Sequence, residues 1–411
     1  MLTLPPTHTS PPLPSTSTYI YTLLPISPTT LLTIDSTSTL HFLSPQTLIP
    51  STSIPQIHTS ITCLSPANDT SSSLFLTAGR DGIVKYWDVR TNTCVQSVTN
   101  HSEFKREIAD RNLLANPLIS TLHSAHHSHF LATGTENPTD GPSESPIYIF
   151  DTRNLSAPTL TLPESHTDTI TSLSLSQPTD SRPSYLLSSS TDGLCSLFDT
   201  KQSNEDDALF QVINHGSAVA QAVFSKDGKG GEDVFVLGTD ETLSMHPIHS
   251  NDDDVPEPAP RVWGDVRERF GCEYVVKILD VGGELVVAAG NHGEGWLDLI
   301  PVSRGSATTP LDYGFGTEGE GRVRLRGAHG EEIVRDVGFG FGGDSNICYT
   351  CGEDGLVRAW TNPNGTAGAS MEVNEEVATA KMSSREKKER KEKRREKKEK
   401  RKEGGERYKP Y

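Results

Sequence analysis

The chain has 411 residues, of which 22% are charged and 34% apolar, and its formal net charge is −17. No apolar run reaches the roughly 18 residues that a membrane-spanning helix needs, and the N-terminus offers Pro, Ser and Thr rather than a basic region followed by an apolar one, so we expect neither a membrane nor a secreted protein. Six scattered cysteines predict no disulfide framework and favour a reducing compartment.

The chain begins with a segment rich in Pro, Ser and Thr, residues 1–18. Short hydrophobic strands then recur from residue 19 to about residue 373, with many Gly, Ser and Thr between them. At roughly 40 to 50 residues per repeat, this length fits seven units. We place the units, or their recognisable strands, at about 19–55, 58–98, 130–151, 166–213, 234–240, 285–299 and 322–360.

One hairpin is repeated in the chain, most clearly at 76–88 and 349–360, with a weaker copy at 187–199. In each copy a hydrophobic strand runs into an Asp-Gly turn, in which Gly tolerates a positive φ, and the alternating strand that follows leads to an aromatic residue. This pattern predicts a β-hairpin. A histidine stands about 25 residues before the turn Asp in four repeats: His58 before Asp81, His166 before Asp192, His215 before Asp240 and His329 before Asp354.

With this spacing the chain resembles the WD-repeat β-propeller family. The resemblance implies an all-β, seven-bladed propeller that continues into a charged C-terminal tail, with a helix as one option for the tail. It also implies that His, Ser or Thr, Asp and Trp form hydrogen-bonded tetrads that stitch neighbouring strands, so we interpret them as scaffold and not as a catalytic site. The candidate tetrads are His58, Thr77, Asp81 and Trp87 in blade 2, His329, Thr350, Asp354 and Trp360 in blade 7, and the partial set His166, Ser188 and Asp192 in blade 4, where Phe198 replaces tryptophan.

Two features of this resemblance stay open or rest on short motifs. The fourth strand of blade 7 could come from about 366–373 or from the N-terminal segment. The stretches 264–267, 327–337 and 407–411 resemble the WD repeat-containing protein 89 family. That finer resemblance implies a nuclear or nucleolar propeller and no defined activity.

The C-terminal tail, residues 374–411, reverses the charge of the body. Residues 381–411 hold 16 Lys/Arg and seven Asp/Glu, a balance of +9, so the total of −17 leaves −26 on residues 1–380. A capping box at 383–386 and the Glu-to-Lys/Arg spacing after it suit an exposed helix without an apolar stripe. The basic residues can form a nuclear import signal or contact RNA phosphates without sequence preference, unless the tail is simply solubilising. They are Lys387, Lys388, Arg390, Lys391, Lys393, Arg394, Arg395, Lys397, Lys398, Lys400, Arg401 and Lys402.

Motifs for catalysis or ligand binding are weak in this sequence. The stretch 314–319 fits G-x-G-x-x-G but opens no helix, as a dinucleotide site requires. Cys348 and Cys351 lie in a predicted strand and face opposite ways. A cluster of histidines, His123, His126, His127 and His129, lacks Cys or carboxylate at ligand spacing. We therefore expect no enzyme, no cofactor and no metal site.

A propeller without catalytic chemistry presents surfaces to other proteins. We expect a scaffold that acts within a complex as a monomer, with basic proteins as its favoured partners and the nucleus or nucleolus, besides the cytoplasm, as its location. The alternative is a substrate receptor of a cullin-RING ubiquitin ligase. Trp87, Asp88 and Arg90 fit the W-D-x-R signature by which some WD-repeat proteins dock on the ligase adaptor, and Asp151 with Arg153 is a near match. The other interpretation of these arginines is that each one pairs with a neighbouring carboxylate.

Overall fold

The computed structural model describes residues 1–13, 18–67, 73–99, 106–108, 113–115, 118–125, 129–139, 141–176, 184–226, 232–249, 259–304, 313–317, 321–341 and 344–362. These residues belong to one unit, which spans Met1–Ala369. The predictions for the tail helix and its basic residues lie outside the described residues.

Two short strands come first, β1 (Leu2–Leu4) and β2 (His8–Thr9). After them the chain forms a series of antiparallel four-stranded sheets, or blades, each built from consecutive strands. Blade 1 contains β3 (Ile20–Ser27), β4 (Thr30–Asp35), β5 (Leu40–Leu43) and β6 (Pro50–Ile54), and blade 2 contains β7 (Ile61–Pro66), β8 (Leu74–Gly79), β9 (Ile83–Asp88) and β10 (Thr93–Thr99). Blade 3 contains β13 (Ile119–Ala125), β14 (Phe130–Thr135), β15 (Ile147–Asp151) and β16 (Leu160–Leu162), and blade 4 contains β17 (Ile170–Leu175), β18 (Tyr185–Ser190), β19 (Leu194–Asp199) and β20 (Leu209–Asn214). A two-stranded ribbon, β11 (Arg106–Ile108) with β12 (Leu113–Ala115), separates blades 2 and 3, and a helical turn, α1 (Glu205–Ala208), precedes β20.

The last three blades include a second helical turn and a short additional strand. Blade 5 contains β21 (Val219–Lys226), β22 (Glu232–Gly238), β23 (Thr242–Pro247) and β24 (Arg261–Asp265), and the helical turn α2 (Arg267–Phe270) follows it. Blade 6 contains β25 (Tyr274–Val281), β26 (Glu284–Asn291), β27 (Trp296–Arg304) and β29 (Val323–Arg326), and the short β28 (Tyr313–Phe315) also pairs with β27. Blade 7 contains β30 (Val334–Gly340), β31 (Asp344–Gly352) and β32 (Val357–Thr361). The described residues therefore form the expected seven-bladed, almost all-β propeller.

The N-terminal segment closes the ring. The strand β2 pairs antiparallel with β32 and supplies the fourth strand of blade 7, while β1 adds a parallel strand to the outer edge of blade 6. Of the two closing segments that the sequence left open, the structure places the N-terminal one at the edge of β32, and 366–373 lies outside the described residues. We expected the segment 1–18 to precede the propeller, but part of it forms strands of two blades.

The hydrophobic core lies between the blades. Second strands such as β8 and β18 are buried on both faces, because each blade packs against its two neighbours. Between blades 1 and 2, for example, Phe75 stacks on Trp87 at a ring-centroid distance of 6.2 Å and meets the edge of Phe42 at 5.9 Å. Outer strands are the exposed ones, as β10 shows with most of its side chains in solvent.

Strand direction divides the turns between two faces of the propeller. We call the side that holds the turns between second and third strands, together with the links between blades, the connector face. Its Asp-Gly turns need glycine, because Gly82, Gly193 and Gly355 have φ of 69°, 89° and 72°. The other side, which holds the turns between first and second and between third and fourth strands, we call the opposite face.

Candidate functional site

The blade 2 tetrad is a continuous chain of hydrogen bonds. Trp87 Nε1 donates to Thr77 Oγ1 at 2.9 Å, Thr77 Oγ1 lies 2.8 Å from His58 Nε2, and His58 Nδ1 lies 2.9 Å from the Asp81 carboxylate. An indole N–H only donates and a carboxylate only accepts, so Thr77 accepts the bond from Trp87 and His58 donates to Asp81 through Nδ1. Burial opposes the ionisation of Asp81, but the interactions with His58, the backbone N–H of Ile83 and the nearby charge of Lys85 together outweigh it and hold the pKa of Asp81 below its usual 3.8.

Blade 7 repeats this chain and extends it. Trp360 Nε1 donates to Thr350 Oγ1 at 3.0 Å, which lies 2.8 Å from His329 Nε2, and His329 Nδ1 lies 2.7 Å from Asp354. Arg358 adds a charge-assisted bond to the second oxygen of Asp354 at 2.5 Å. Burial lowers the pKa of His329, which keeps the imidazole neutral.

Blade 4 holds the partial network that its sequence predicts. His166 Nδ1 lies 3.0 Å from Asp192, and His166 Nε2 lies 2.8 Å from Ser188 Oγ. Phe198 has no N–H to offer, and the Ser188 hydroxyl instead lies 3.3 Å from the carbonyl oxygen of Ser196. The network therefore ends one residue earlier than in blades 2 and 7.

In blade 5 the histidine makes other hydrogen bonds than its spacing from the turn aspartate predicts. His215 contacts Ser244 Oγ and Thr242 Oγ1, both at 2.8 Å, and Asp240 accepts a bond from Thr242 at 2.6 Å. The cause is Val236, which stands opposite Ser244 in the strand register, at the place that threonine takes in blade 2. The structure thus connects His215 to Asp240 through Thr242.

Sequence reasoning missed a further buried pair in blade 1. His41 Nε2 lies 3.0 Å from Asp35 Oδ2, and His41 Nδ1 lies 2.8 Å from Ser53 Oγ. The available signal in the sequence was an Asp and a His six residues apart, Asp35 and His41, within the first unit. Blades 1 and 3 also keep the tetrad threonine without the tetrad histidine, and the buried Thr33 and Thr133 hydroxyls have no hydrogen-bond partner among the described residues.

This geometry suits a scaffold and not a reaction centre. His58, His166 and His329 are between 1% and 4% exposed, and both nitrogens of each ring already contact a tetrad partner. A general base must reach a proton of its substrate, which a buried and fully bonded imidazole cannot do.

The candidate docking arginines lie on the opposite face, at the ends of the third strands of adjacent blades. Arg90 donates from Nε and Nη2 to both oxygens of Asp88 at 3.1 and 2.7 Å, and Arg153 makes the same fork with Asp151 at 2.9 and 2.5 Å. The arginine side chains are 74% and 68% exposed. The fork lowers the pKa of Asp88 and lowers that of Asp151 to about 2. Each guanidinium is oriented by its own carboxylate while its remaining N–H groups face solvent.

The other sequence motifs show no ligand chemistry among the residues that the structure describes. No group of three or more His, Cys, Asp or Glu side chains there is placed to hold a metal ion, with His126 and His127 lying outside the described residues. Cys348 and Cys351 are buried in β31, and burial raises the pKa of both thiols. No described helix is long and apolar enough to cross a membrane.

Comparison with known proteins agrees with the fold. The model of the WD domain, G-beta repeat, matches residues 51–88 and 157–199, the segments that carry the blade 2 tetrad and the partial blade 4 set. An uncharacterized WD repeat-containing protein of Saccharomyces cerevisiae is 33% identical over 298 residues, which cover 72% of this chain and 67% of the yeast protein. The chain belongs to the WD-repeat family.

Two further proteins place this WD-repeat propeller more broadly. WD repeat-containing protein GTS1 of Arabidopsis thaliana is 27% identical over 286 residues, which cover 68% of this chain and 64% of that protein, so the chain spans about two thirds of the length of these relatives. The β-propeller domain of Myceliophteria thermophila Cps50 (Swd1) superposes with a TM-score of 0.55 at 13% identity, over 87% of this chain and 99% of that domain. That likeness shows the fold alone. WD-repeat propellers generally bind proteins and are not enzymes, and the matched family is not a catalytic one.

Proposed function

We propose that this WD-repeat propeller is a scaffold that gathers basic proteins in the nucleus or nucleolus, in ribosome biogenesis or a chromatin-linked assembly. The observation that carries the proposal is the division of charge, with −26 on residues 1–380 and +9 on residues 381–411. An acidic surface raises the association rate of basic partners and repels acidic ones.

The tail and the finer resemblance support the location. Its Lys/Arg clusters suit nuclear import or non-specific RNA contact, and the short motifs shared with the WD repeat-containing protein 89 family imply a nuclear or nucleolar protein. The proposal allows a cytoplasmic pool, since import signals act on proteins made in the cytoplasm.

Affinity purification tests the scaffold role. The tagged full chain and its 1–380 truncation are purified at physiological salt, with and without nuclease, and bound proteins are identified by mass spectrometry. We expect basic ribosome-assembly or chromatin proteins with the full chain, and their loss from the truncation if the tail anchors the particle. Recovery of no basic protein by either chain would contradict the proposal.

A second candidate function is supported by the two arginine forks. Arg90 and Arg153 stand on adjacent blades of one face, exposed and held in place by Asp88 and Asp151. Such a pair of oriented guanidinium groups suits docking to the adaptor of a cullin-RING ligase, which would make the propeller a substrate receptor.

The same purification separates the two functions. Arg90→Ala with Arg153→Ala removes both forks, and Arg267→Ala is the matched control, because Arg267 makes the same fork with Asp265 on the connector face. Adaptor capture that survives removal of the tail and of Arg267 but is lost with Arg90 and Arg153 would establish the receptor. A partner set unchanged by all three arginine substitutions leaves the scaffold role in place.

A further inference from the structure

A groove of about 500 Å³ opens where the ring closes, between blades 7 and 1. We call it the seam groove. Its walls are Thr7 and His8 of the closing segment, Phe341 and Asp344 at the turn between β30 and β31, and the stretch 25–28 at the turn between β3 and β4. The size lies within the range of pockets that bury a small ligand or an anchoring side chain.

The groove is apolar and preformed. Ile347 and Tyr349 of β31 line it together with Pro25, Pro28 and Pro45. Each proline ring fixes its own φ, and the Tyr349 hydroxyl donates to the carbonyl oxygen of Pro45 at 3.3 Å, which ties blade 7 to blade 1. A rigid apolar pocket costs little ordering when a side chain enters it.

The rim is polar and its charge has one sign. Gln46 is exposed on the rim and donates to the carbonyl oxygen of Pro28 at 2.8 Å. Asp344 is exposed and is the one carboxylate among the described residues that line the groove, which include no lysine or arginine. A cationic group beside the groove would therefore meet an opposite charge locally and in the acidic body as a whole.

We propose that the seam groove docks an extended segment of a basic partner protein, with one apolar side chain seated against Ile347 and Pro25 and a neighbouring Lys or Arg beside Asp344. This inference rests on the scaffold function above and names where a basic partner attaches. The arrangement matches the usual anatomy of a binding hot spot, an apolar pocket surrounded by a polar rim.

The test uses the full chain, immobilised and panned against a display library of random twelve-residue peptides. We expect enriched peptides to share an apolar residue next to Lys or Arg. In fluorescence anisotropy with the best such peptide, Gln46→Trp, which fills the groove from its rim, and Asp344→Lys should each weaken binding about tenfold or more. Raised salt should weaken the wild-type complex more than the Asp344→Lys one, because only the wild-type chain offers the local carboxylate.

Two variants on the same face serve as controls. Gln202→Trp and Glu284→Lys make the same kinds of change at exposed turns of blades 4 and 6 and should leave affinity within about twofold. The thermal midpoint of each variant shows that it is folded.

Three outcomes would contradict the seam groove as a docking site. They are no enrichment over a blank surface, enriched peptides that are acidic, and peptides that bind the Gln46→Trp chain as well as they bind wild type. The last result can be separated from failure of the scaffold role. If Gln46→Trp still co-purifies the basic partners of the wild-type chain, the scaffold stands and the seam groove does not.

Discussion

Asp336 of blade 7 accepts a hydrogen bond from the backbone N–H of Leu23 in blade 1 at 2.8 Å, and so joins the last blade to the first. Its other oxygen pairs with Lys277 of blade 6, so one buried carboxylate links three consecutive blades. Similar links between first strands continue around the ring, namely Thr62 to the Ile119 carbonyl, Ser120 to the Ile170 carbonyl, the Ala222 N–H to Ser172, and the Ile278 N–H to Gln221. Ring closure therefore depends on polar bonds between first strands as well as on the N-terminal strand at the outer edge.

Replacing Asp336 should weaken the closed ring strongly. Asp336→Ala leaves the Leu23 N–H and the Lys277 ammonium without their acceptor, and we expect the free energy of unfolding to fall by about 3 to 5 kcal/mol. The measurement is urea unfolding followed by tryptophan fluorescence. Glu284→Ala, at an exposed position of blade 6, is the control. Equal urea midpoints for the Asp336 variant and wild type would show that the link does not hold the blades.

Two buried threonines should respond in opposite directions to the same substitution. Thr77→Val removes the acceptor of the Trp87 N–H and the hydrogen-bond partner of His58 Nε2, and we expect the free energy of unfolding to fall by about 1 to 3 kcal/mol. Thr133→Val removes a buried hydroxyl that has no partner in the described part of the chain, so stability should be unchanged or higher. The thermal midpoints of the two variants, each compared with that of wild type, test this difference. Equal losses of stability would mean that the tetrad hydrogen bonds contribute nothing specific.

These residues also show how far the sequence could be read. The Asp-Gly turns and the tetrads of blades 2 and 7 were predictable, because their residues recur at fixed spacing in neighbouring strands. The bond from His215 to Ser244 was not, since it arises from strand register when Val236 takes the threonine position. The closing strand His8–Thr9 was not predictable either, because two residues have no periodicity and their partner is more than 340 residues away.

Acid should weaken the tetrads, and Asp81 offers the test. Its folded pKa lies below 3.8, because the interactions with His58, the Ile83 N–H and the Lys85 charge together outweigh the opposing effect of burial. The unfolded chain therefore binds more protons in acid, so the stabilisation is fully present above about pH 5 and is lost as the pH falls through 3.8 and below. We expect Asp81→Asn to flatten the fall of the urea midpoint between pH 5 and 3, relative to Asp344→Asn as the exposed control. Parallel curves for the two variants would contradict this account.

The N-terminal segment should be required for a closed blade 7. Ser10 exchanges backbone and side-chain hydrogen bonds with Val357, and Leu13 is buried at 2% exposure in the core between blades 7 and 1. We expect Leu13→Ala to cost about 2 to 5 kcal/mol, while Tyr21→Ala, at an exposed position, should cost far less. Deleting residues 1–10 should make β32 exchange its amide hydrogens rapidly, and unchanged exchange there would show that another segment covers this edge.

Thiol labelling offers a direct check of the burial pattern. All six cysteines are free and lie within the described residues, and Cys94 on the outer strand β10 is the exposed one. Burial raises the pKa of Cys63 to about 12 and that of Cys272 to about 11, which removes the reactive thiolate at neutral pH. Brief treatment of the native protein with a maleimide should therefore attach one label per chain, as measured by intact-protein mass spectrometry. The Cys94→Ser variant should take up no label under the same conditions. The remaining five thiols should react only in urea, because a label that reached a second thiol quickly under native conditions would require a blade to open.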